Sequence, residues 1–466
     1  MWLFSMRAAD LAARRVAVWG LGREGRAAIG FLRKHCPKLP LLVLADTPDG
    51  QAPMAIEGDV EYVFGADEII RAIERVDVIV KSPGVSLYRR EIQSAREEGA
   101  EVTSLLNLWF AEQFDLTTIC VTGTKGKSTT ASLIAHILEK LDRRVALAGN
   151  IGVPITEIDN AVADFAVIEV SSYQAADFDG MCDVAVLTSL YPEHIDWHLT
   201  LENYFRDKIN LLSRSKCQII NREAAAAMER LAGEPPTRKL LFNDRSGLHF
   251  RRTRLFDGNR AIAEPPNPYL ARPHNRSNLC AALAVMKSLG IDPKTALDAS
   301  GGFRGLAHRQ EELGEFEGVL FVDDSISTIP ESTLAALAVY EGRDITLILG
   351  GYDRGIEYGK LVAAILGGAA KTVICLGNSG ERVYSLAREL ASQRRDCVCR
   401  IHRATSMEDA VSLARRVTAP GGVVLLSPAA PSYGQYRDYI ERGRDFAAKA
   451  GLRTTVSSSA TPIRNS

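Results

Sequence analysis

The stretch Thr117-Thr-Ile-Cys-Val-Thr-Gly-Thr-Lys-Gly-Lys-Ser-Thr-Thr130 decides the fold. Its first six residues suit a buried strand, and the residues from Ala131 onward follow a helical pattern. A glycine- and lysine-containing loop between a strand and a helix is typical of phosphate binding, because backbone N–H groups at the helix start face the phosphates. The stretch therefore predicts a nucleotide-binding site in an α/β domain.

This loop departs at one position from the strict phosphate-loop pattern, which requires a glycine where Val121 stands. The chemistry is still available, because the lysine can reach the β and γ phosphates and the following serine can bind Mg²⁺. A bland surface loop is the alternative. The residues expected to bind ATP are Gly123, Thr124, Lys125, Gly126, Lys127, Ser128 and Thr129.

A candidate metal ligand, Glu169, stands at the end of the predicted strand 165–170. A carboxylate at a strand end beside a phosphate loop can complete an Mg²⁺ site, although a solvated carboxylate is the alternative. The run His194-Ile-Asp-Trp-His198 hints at zinc, but no cluster of cysteines or histidines supports it. We expect His198 to be a surface residue.

A second glycine loop, Gly20-Leu-Gly-Arg-Glu-Gly25, follows the predicted strand 15–19. Strand, tight turn and helix start are the context of a dinucleotide fingerprint, and Asp46 closes the next strand about 20 residues later. An NAD-dependent dehydrogenase is one interpretation, and glycines that only permit close packing are another. The phosphate loop at 123–130 counts against a nicotinamide, because one chain rarely needs both.

Short β-branched runs recur along the chain, most of them followed by a helical pattern. Such alternation is typical of parallel sheets covered by helices on both faces. The predicted strands are 15–19, 41–45, 76–81, 117–122, 165–170, 184–189, 217–221, 345–349, 372–376 and 423–427. The pattern restarts after 111–115 and after 301–308, and the proline-rich stretch 263–273 predicts a loop.

We therefore expect an α/β protein of three domains, 1–115, 116–304 and 305–466, each with a mainly parallel sheet. The outer two are expected to be Rossmann-like and the central one a phosphate-loop ATPase domain. A length of 466 residues agrees with about three domains.

The composition limits the classes of partner. The 56 lysines and arginines balance 57 acidic residues, so the chain lacks the basic excess of a nucleic-acid binder. The eight cysteines form neither a zinc knuckle nor a Cys-x-x-Cys pair, and no apolar run suits a signal peptide or a membrane helix. We expect a cytoplasmic, monomeric protein that binds small molecules, without nucleic acid and without a membrane span.

Motifs along nearly the whole chain resemble, in content and order, those of the Mur ligases. They are Gly123-Thr-Lys-Gly-Lys-Ser-Thr129, Gly149-Asn-Ile-Gly152, Glu169-Val-Ser-Ser-Tyr-Gln174, Pro192-Glu-His-Ile-Asp196, His274-Asn-Arg-Ser-Asn278, Leu306-Ala-His-Arg309 and Asp323-Asp-Ser325. The early glycine loop and the ending Leu426-Ser-Pro-Ala-Ala-Pro-Ser-Tyr433 most resemble the members that add glutamate to UDP-N-acetylmuramoyl-L-alanine.

The resemblance implies a first domain that binds UDP, so that the first glycine loop holds the diphosphate of UDP and the nicotinamide interpretation is dropped. It implies contacts to the UDP substrate from Gly20, Leu21, Gly22, Asp46, Thr47, Ser82, Pro83, Gly84, Asn150, Ser171 and Gln174.

In the family, ATP converts the substrate carboxylate to an acyl phosphate, which the amine of the incoming amino acid attacks. The resemblance implies catalytic roles for Lys127, His194 and Lys208. Without it, Lys208 in the helical segment 203–212 is interpreted as a solvated helix lysine. The implied metal ligands are Ser128, Glu169, His194 and, if it is carbamylated, Lys208. Further ATP contacts are implied for Asn275, Asn278, Arg309 and Asp324.

The third domain departs from members that add D-glutamate, which usually read Asp-Ser-Lys-x-Thr-Asn. Here the run is Asp324-Ser-Ile-Ser-Thr-Ile-Pro330, and Arg354 stands where lysine is common. An arginine can hold the side-chain carboxylate of glutamate through two hydrogen bonds. The implied glutamate-binding residues are Thr328, Arg354, Ser432, Tyr433 and Tyr439.

These features most resemble the branch that adds L-glutamate in peptidoglycan precursor synthesis. The same reaction with D-glutamate is the alternative. A folylpolyglutamate-type synthetase and a non-catalytic nucleotide-binding regulator are more distant ones.

Overall fold

A computed structural model describes residues 6–46, 59–113, 115–151, 154–158, 162–232, 238–392 and 399–453. The chain forms two compact units, Met1–Phe303 and Arg304–Ser466. The first unit contains a five-stranded and a nine-stranded sheet, and the second contains a six-stranded sheet. The limits of the three predicted domains stay predictions. Among the described helices, none has the length and apolar character needed to cross a membrane.

The first sheet is entirely parallel. Its strands are β1 (Val16–Trp19), β2 (Leu41–Ala45), β3 (Val60–Phe64), β4 (Val78–Lys81) and β5 (Glu101–Thr103). Its helices are α1 (Arg23–His35), α2 (Ala66–Ile73), α3 (Arg90–Glu97) and α4 (Leu105–Ala111). The strand order is β3-β2-β1-β4-β5, so the chain leaves the neighbours β1 and β4 in opposite directions. Such a switch point opens a crevice at the carboxyl ends of the strands, where α/β proteins bind ligands.

The second sheet has the order β14-β13-β12-β11-β10-β9-β6-β8-β7 and is parallel from β7 to β12. Its strands are β6 (Thr117–Thr122), β7 (Val145–Gly149), β8 (Phe165–Glu169), β9 (Cys182–Leu187), β10 (Ser215–Asn221), β11 (Arg238–Phe242), β12 (Leu248–Arg251), β13 (Arg254–Asp257) and β14 (Arg260–Ala261). Its helices are α5 (Lys127–Lys140), α6 (Ser172–Ala176), α7 (Ile195–His198), α8 (Leu201–Ser213), α9 (Arg222–Ala232), α10 (Pro268–Ala271), α11 (Pro273–Ser288) and α12 (Pro293–Ala299).

Helix α5, which follows the phosphate-loop candidate, is buried on nearly all sides. It packs on β7 and β8 with one side and against α11 with another. Leu133, Ile134, Ile137 and Leu138 are all fully buried. These residues belong to the core of the first unit, so the helix anchors the loop at its start to that core.

The sheet of the second unit has the order β15-β16-β20-β17-β18-β19 and is parallel except for the β15–β16 hairpin. Its strands are β15 (Glu311–Phe316), β16 (Val319–Asp323), β17 (Ile345–Leu349), β18 (Thr372–Leu376), β19 (Arg400–Ala404) and β20 (Val423–Leu426). Its helices are α13 (Pro330–Val339), α14 (Gly359–Ala364), α15 (Gly377–Ser392), α16 (Met407–Val417) and α17 (Tyr439–Lys449).

Alternate residues of these central strands enter two cores, one on each face of the sheet. Leu347 and Val373 belong to one core, and Ile348 and Ile374 to the other. This is why the strands are continuous apolar runs. The predicted class, an α/β protein with mainly parallel sheets covered by helices, is confirmed.

One predicted loop is partly helical. Within the proline-rich stretch 263–273, Pro268 begins α10 and Pro273 begins α11. The prediction of a loop over the whole stretch was therefore wrong. Proline is favourable at the first position of a helix, because its fixed φ suits the helix and its missing N–H has no partner there anyway.

Candidate active site

The phosphate-loop candidate lies at the carboxyl end of β6, and both of its glycines are needed there. Gly123 has a φ of +143° and Gly126 one of +87°. A Cβ on Gly123 would lie 2.1 Å from Thr188 Oγ1, and a Cβ on Gly126 would lie 2.5 Å from Asn278 Oδ1. Helix α5 begins directly after the loop at Lys127, so its N-terminus faces any phosphate bound there.

Polar side chains fix this loop from behind. The backbone N–H of Lys125 donates to Ser189 Oγ (2.8 Å), and the Lys125 ammonium donates to Glu193 Oε1 (2.7 Å). Thr124 Oγ1 lies 2.8 Å from the Tyr204 hydroxyl. Thr124 and Lys125, both predicted to bind ATP, therefore engage other protein groups and shape the loop.

Two lysines converge on the loop. Lys127 Nζ donates to the carbonyls of Gly123 (2.9 Å) and Thr124 (3.1 Å), and Lys208 Nζ donates to the same Gly123 carbonyl (2.9 Å). Lys208 is only 2% exposed. Burial, and then the neighbouring ammonium of Lys127, lowers the pKa of Lys208 well below its usual value. The interpretation of Lys208 as a solvated lysine was therefore wrong, because α8 directs it into the protein.

Oxygen atoms suited to Mg²⁺ lie beside the loop. Glu169 ends β8 and is 1% exposed; its Oε1 accepts from Asn150 Nδ2 (3.1 Å), and its Oε2 is buried with no hydrogen-bond partner among the described residues. Ser128 and Thr129 are buried in the first turn of α5, and β6 pairs with β8. A buried carboxylate oxygen without a donor and a nearby hydroxyl are groups that fit the predicted ion.

The two histidines of the His-x-Asp-x-His run differ in their surroundings. His194 is half-exposed with a φ of +54°, and partial burial lowers its pKa. His198 is fully buried, with Nδ1 donating to Asp207 Oδ2 (2.5 Å) and Nε2 3.1 Å from Ser172 Oγ. The expectation that His198 lies on the surface was wrong, because these two partners satisfy its ring nitrogens in the interior. A zinc ion would have to displace them.

The first glycine loop joins β1 to α1 at the switch point of the five-stranded sheet. Gly20 has a φ of +109°, and a Cβ there would lie 2.7 Å from Ser82 Oγ. A Cβ on Gly25 would lie 1.7 Å from the Gly20 carbonyl oxygen, so only glycine permits this approach of α1. Ser82 follows β4, and the loops after β1 and β4 are therefore in direct contact.

Asp46 follows β2, as predicted, but its carboxylate already has a partner. Nη1 of Arg89 donates to both of its oxygens (3.0 and 2.8 Å), and the guanidinium lies 4.7 Å from the centre of the Trp19 ring. Sequence reasoning missed Arg89, because its place beside Asp46 depends on the path of the loop after β4. Thr47 lies outside the described residues.

A cavity of about 560 Å³ in the first unit extends from the first glycine loop to Lys127, at the end of the phosphate-loop candidate. The predicted UDP-substrate residues that line it are Gly20, Gly22, Asp46, Ser82, Pro83, Gly84, Asn150, Ser171 and Gln174. Leu21 is not among its lining residues. The three predicted catalytic residues, Lys127, His194 and Lys208, line the same cavity. The structure therefore brings together residues that the sequence places in separate domains.

Two of the lining residues also build the start of α6. Ser171 Oγ accepts from the Gln174 N–H (3.2 Å), and Gln174 Oε1 accepts from the Ser171 N–H (3.0 Å), which forms a capping box. Gln174 Nε2 donates to Glu24 Oε1 (2.6 Å), and burial raises the pKa of Glu24. Glu24 also lines the cavity, and sequence reasoning missed it although it stands inside the first glycine loop motif.

Side chains from the loop after β4 bind the segment around α7 and α8. The Tyr88 hydroxyl donates to the carboxylate of Asp207 (2.9 Å), the residue before Lys208. Trp197 Nε1 donates to the Pro83 carbonyl (3.0 Å). These bonds hold the first sheet and the segment of the second sheet that carries Lys208 around one cavity.

The two asparagines predicted to contact ATP lie in the first turns of α11, behind the phosphate loop. Asn278 Oδ1 accepts from Thr130 Oγ1 (3.3 Å), and its Nδ2 donates to Asn275 Oδ1 (3.2 Å). Asn275 Nδ2 donates in turn to the Tyr269 carbonyl (3.0 Å). Both asparagines therefore brace the loop, and their contact with ATP stays a prediction.

Asp324, in the second unit, follows β16 and is 2% exposed. Its carboxylate accepts from Ser327 Oγ (2.5 Å), from Ser427 Oγ (2.7 Å) and from the N–H of Gln310 (3.2 Å). Burial raises the pKa of Asp324 to about 6, and the charge of Arg309 opposes this rise. Contacts of Arg309 and Asp324 with ATP stay predictions.

The predicted glutamate-binding residues lie at one edge of the second unit's sheet, after β16, β17 and β20. Arg354 Nη2 donates to the Thr328 carbonyl (3.0 Å), which links the first two of these loops. Ser432 is 5% exposed and Tyr433 is 61% exposed. Tyr439 begins α17. The structure brings these residues to neighbouring strand ends, although they come from three distant segments.

A buried cluster below these loops was missed by sequence reasoning. The ligand atoms of His308, Glu311 and Asp323 lie within 4.8 Å of one another. His308 Nδ1 donates to Asp323 Oδ2 (2.7 Å), and the His308 N–H donates to Glu311 Oε2 (3.0 Å). His308 and Asp323 lie within two of the motifs that resemble the Mur ligases, and this could have indicated the cluster from the sequence. The three groups satisfy one another, as expected of an internal hydrogen-bond network.

The fold, the two glycine loops and their shared cavity define a phosphate-loop α/β protein of the nucleotide-binding class. Three family models match the chain: the Mur ligase MurD-like N-terminal domain at 14–104, the Mur ligase middle domain at 121–286 and the Mur ligase glutamate ligase domain at 308–430. The chain belongs to the Mur ligase family and is an ATP-dependent amide ligase. The predicted family and enzyme class are thereby confirmed.

Relatives similar to the chain over nearly its whole length carry one name, UDP-N-acetylmuramoyl-L-alanine--L-glutamate ligase. The relative from Xanthomonas axonopodis pv. citri (strain 306) is 38% identical over 460 residues, which cover 96% of this chain and 97% of the relative. The relative from Xylella fastidiosa (strain Temecula1) is 38% identical over 470 residues, which cover 97% and 98%.

Two solved structures share the fold. UDP-N-acetylmuramate-alanine ligase MurC from Thermotoga maritima has a TM-score of 0.55 at 17% identity and covers 94% of this chain and 99% of its own. MurF ligase from Thermotoga maritima in complex with ADP has a TM-score of 0.51 at 15% identity and covers 96% and 97%. At such low identity the similarity concerns the fold alone.

Proposed function

We propose that this chain joins L-glutamate to UDP-N-acetylmuramoyl-L-alanine, at the expense of ATP, in the synthesis of peptidoglycan precursors. The observation that carries the proposal is the single cavity in which the first glycine loop meets Lys127, His194 and Lys208. One end suits the diphosphate of a UDP-linked substrate, and the other suits the phosphates of ATP. The name that the 38%-identical relatives share supports this reaction.

Lys127 is the residue that we propose to stabilise phosphoryl transfer. Its ammonium now donates to the carbonyls of Gly123 and Thr124, at the start of α5. With ATP bound, it would turn to the phosphate oxygens and stabilise the charge that develops as the phosphoryl group moves to the substrate carboxylate. The amine of glutamate then attacks the acyl phosphate, the amide bond forms and phosphate leaves.

Mg²⁺ would be held by Ser128 and Glu169 and would offset the negative charge of the ATP phosphates. Asn150 orients Glu169 through the bond to Oε1, and the buried Oε2 is the oxygen suited to the ion. We propose His194 as a ligand of a second ion. The lowered pKa of Lys208 favours the neutral amine that reacts with CO₂, and a carbamate there would supply an anion beside His194.

The acceptor glutamate is proposed to bind at the strand ends of the second unit. Arg354 supplies a planar guanidinium that can hold the side-chain carboxylate by two hydrogen bonds. Thr328 is fixed next to it by the 3.0 Å bond to the guanidinium. Ser432, Tyr433 and Tyr439 complete the proposed site.

The form and location of the enzyme follow from the reaction proposed. We propose a monomer as the active form, because the first unit alone brings the first glycine loop and the residues proposed to be catalytic to one cavity. We propose the cytoplasm as the location, because ATP and UDP-linked sugars are available there.

The test is a reaction of the purified chain with ATP, Mg²⁺, UDP-N-acetylmuramoyl-L-alanine and one glutamate enantiomer at a time. We expect phosphate release and a UDP-linked product one glutamate heavier with L-glutamate. Product from D-glutamate alone would overturn the choice of enantiomer. Lack of product with either enantiomer would overturn the proposed reaction, and dihydropteroate plus glutamate tests the folylpolyglutamate-type alternative in parallel.

A further inference from the structure

Arg442 is an arginine on α17 that is almost completely buried, with 2% of its surface exposed. Its Nε donates to Ser325 Oγ (3.0 Å). Its Nη2 donates to the carbonyls of Ser325 (2.8 Å) and Ala430 (2.9 Å). Arginine is rarely buried so fully, because removing its charge from water costs free energy. The burial of Arg442 therefore calls for a structural or functional explanation.

The groups around Arg442 belong to three separate loops. Ser325 follows β16, and Ala430 follows β20. The third loop follows β17, where a Cβ on Gly351 would lie 2.9 Å from Arg442 Nη1. Because β16, β20 and β17 are adjacent in the sheet, one guanidinium contacts the loops at three neighbouring strand ends.

The same loops carry the side chains proposed to bind glutamate. Thr328 lies three residues beyond Ser325, Arg354 three beyond Gly351, and Ser432 two beyond Ala430. The Ser325 hydroxyl that accepts from Arg442 also donates to the carbonyl of Tyr439 (2.8 Å), so α17 is fixed to the first loop at two points.

We infer that Arg442 is a positioning residue for the acceptor: it locks the loops after β16, β17 and β20 into the spacing that binds glutamate. This inference rests on the proposed function, since it takes the acceptor to be glutamate. Arg442 acts through these loops. The side chains proposed to contact glutamate, Thr328, Arg354 and Ser432, are carried by the loops themselves.

A planar guanidinium suits this role better than an ammonium. Its donors point in fixed directions in one plane, so bonds to Ser325 and Ala430 fix the distance between two loops, whereas a lysine would offer a point charge. The pKa of Arg442 is lowered by burial to about 10, so the residue stays cationic at neutral pH. Nε and Nη2 hold the loops after β16 and β20 by hydrogen bonds. Nη1 has no hydrogen-bond partner among the described residues and meets the loop after β17 at Gly351 by packing.

The test compares the full-length wild type with R442K and with a control variant, T346V. Thr346 is equally buried in the same sheet, but it lies near the amino end of β17, where it bonds to Thr418 (2.6 Å). Thr418 keeps a bond to the Ala414 carbonyl (2.7 Å) in the control. T346V therefore removes a buried hydrogen bond from this unit without touching the loops.

Two readouts separate positioning from general damage. The first is the KM for glutamate. The second is scrambling of isotopic oxygen between the bridging and non-bridging positions of ATP in the presence of the UDP substrate, which reports acyl phosphate formation without glutamate. We expect R442K to raise the KM for glutamate about tenfold or more, since small misplacements of binding groups are costly, and to leave the scrambling rate within about twofold.

S325A provides a second variant if R442K fails to fold, because it removes only the hydroxyl that joins Arg442 to Tyr439. We expect S325A to raise the KM for glutamate in the same direction and T346V to leave it unchanged. An unchanged KM in the folded Arg442 or Ser325 variant, or an equal loss of scrambling and ligation, would overturn the inference. If the wild type uses neither enantiomer, the proposed function fails and this inference fails with it.

Discussion

Gly126→Ala tests the geometry of the phosphate loop with one added methyl group. The new Cβ would meet Asn278 Oδ1 at 2.5 Å, on backbone with a φ of +87°. The backbone conformation costs an L-residue about 1 to 2 kcal/mol. Pushing Asn278 away also breaks its bonds to Thr130 and Asn275, at about 1 kcal/mol each. The total is about 3 to 4 kcal/mol.

Gly290→Ala is the matched control, because it isolates the backbone part of this cost. Gly290 has a φ of +82° and lies between α11 and α12, in the same unit as Gly126. A Cβ at this position would have no atom within 4 Å. We expect about 1 to 2 kcal/mol there. The difference of about 2 kcal/mol between the two variants is then the contact with Asn278, and it corresponds to about 30-fold in an equilibrium constant.

The assay measures two quantities for each variant: the free energy of unfolding in urea and the dissociation constant of a non-hydrolysable ATP analogue. The loop can either keep its shape and lose stability or relax and lose affinity, so the sum of the two losses is the predicted quantity. Gly126→Ala should exceed Gly290→Ala by about 2 kcal/mol in that sum. The double variant Gly126→Ala with Asn278→Ala should show a smaller summed loss than the two single variants added together, because both changes remove the same contact. Equal sums for the two glycine variants, or full additivity, would refute the reasoning.

Three further predictions concern charged groups. Lys127→Ala should lower kcat by about a thousandfold or more, because the charge on the moving phosphoryl group loses its cation, while calorimetry finds binding of the UDP substrate largely preserved; a small effect would contradict its role. Lys81→Met should destabilise the first unit by about 3 to 5 kcal/mol in urea unfolding, because it leaves Asp177 buried without the ammonium 2.9 Å away. The double variant with Asp177→Leu should recover most of this loss, and equal instability of both would be the contrary result. Asp324 has a folded-state pKa of about 6 against an ordinary 3.8, so the native state binds its proton more tightly than the unfolded state does. The free energy of unfolding should therefore fall by about 2 kcal/mol as the pH rises from 4 to 6. Asp324→Asn should remove that part of the pH profile, and an unchanged profile would show that another group causes it.

Sequence reasoning succeeded best for strands that are buried on both faces. All ten predicted strands are present, and those at 41–45, 117–122, 345–349 and 372–376 have the predicted bounds. Each is a run of apolar and β-branched residues, because helices cover both sides of the sheet. Such a run is visible in the local sequence, so these strands could be predicted without knowledge of their neighbours in the sheet.

The strands that were missed depend on pairing rather than on local preference. β12 and β13 form a hairpin through Arg252 and Thr253, and Arg252 has a φ of +56°. Neither residue is a usual turn signal, so the sequence offered no sign of a hairpin there. β7 contains Ala146, Ala148 and Gly149, which have little preference for strands, and it forms at the sheet edge by pairing with β8.

The same distinction holds for the candidate active site. The glycine loops could be predicted, because a turn with positive φ and a close backbone approach leave glycines at fixed spacing. The burial of Lys208 and His198 could not be predicted from the sequence. Lys208 packs against the Gly123 carbonyl and the Tyr204 ring. The ring of His198 bonds to Asp207 and Ser172, and neither of these residues lies on its own helix.

Arg442 shows most clearly what a single sequence leaves out. On a helix whose neighbours include Glu441 and Arg444, a further arginine is expected to face water, since charged residues are rarely buried. Its burial is possible only because the carbonyl and hydroxyl groups of Ser325, more than a hundred residues earlier, and the carbonyl of Ala430 converge on it. The topology of the sheet creates that convergence by placing β16, β20 and β17 side by side. A residue that organises several loops is therefore recognised from strand order and acceptor geometry together, and substitution of such a residue should alter ligand binding even though the residue touches no ligand.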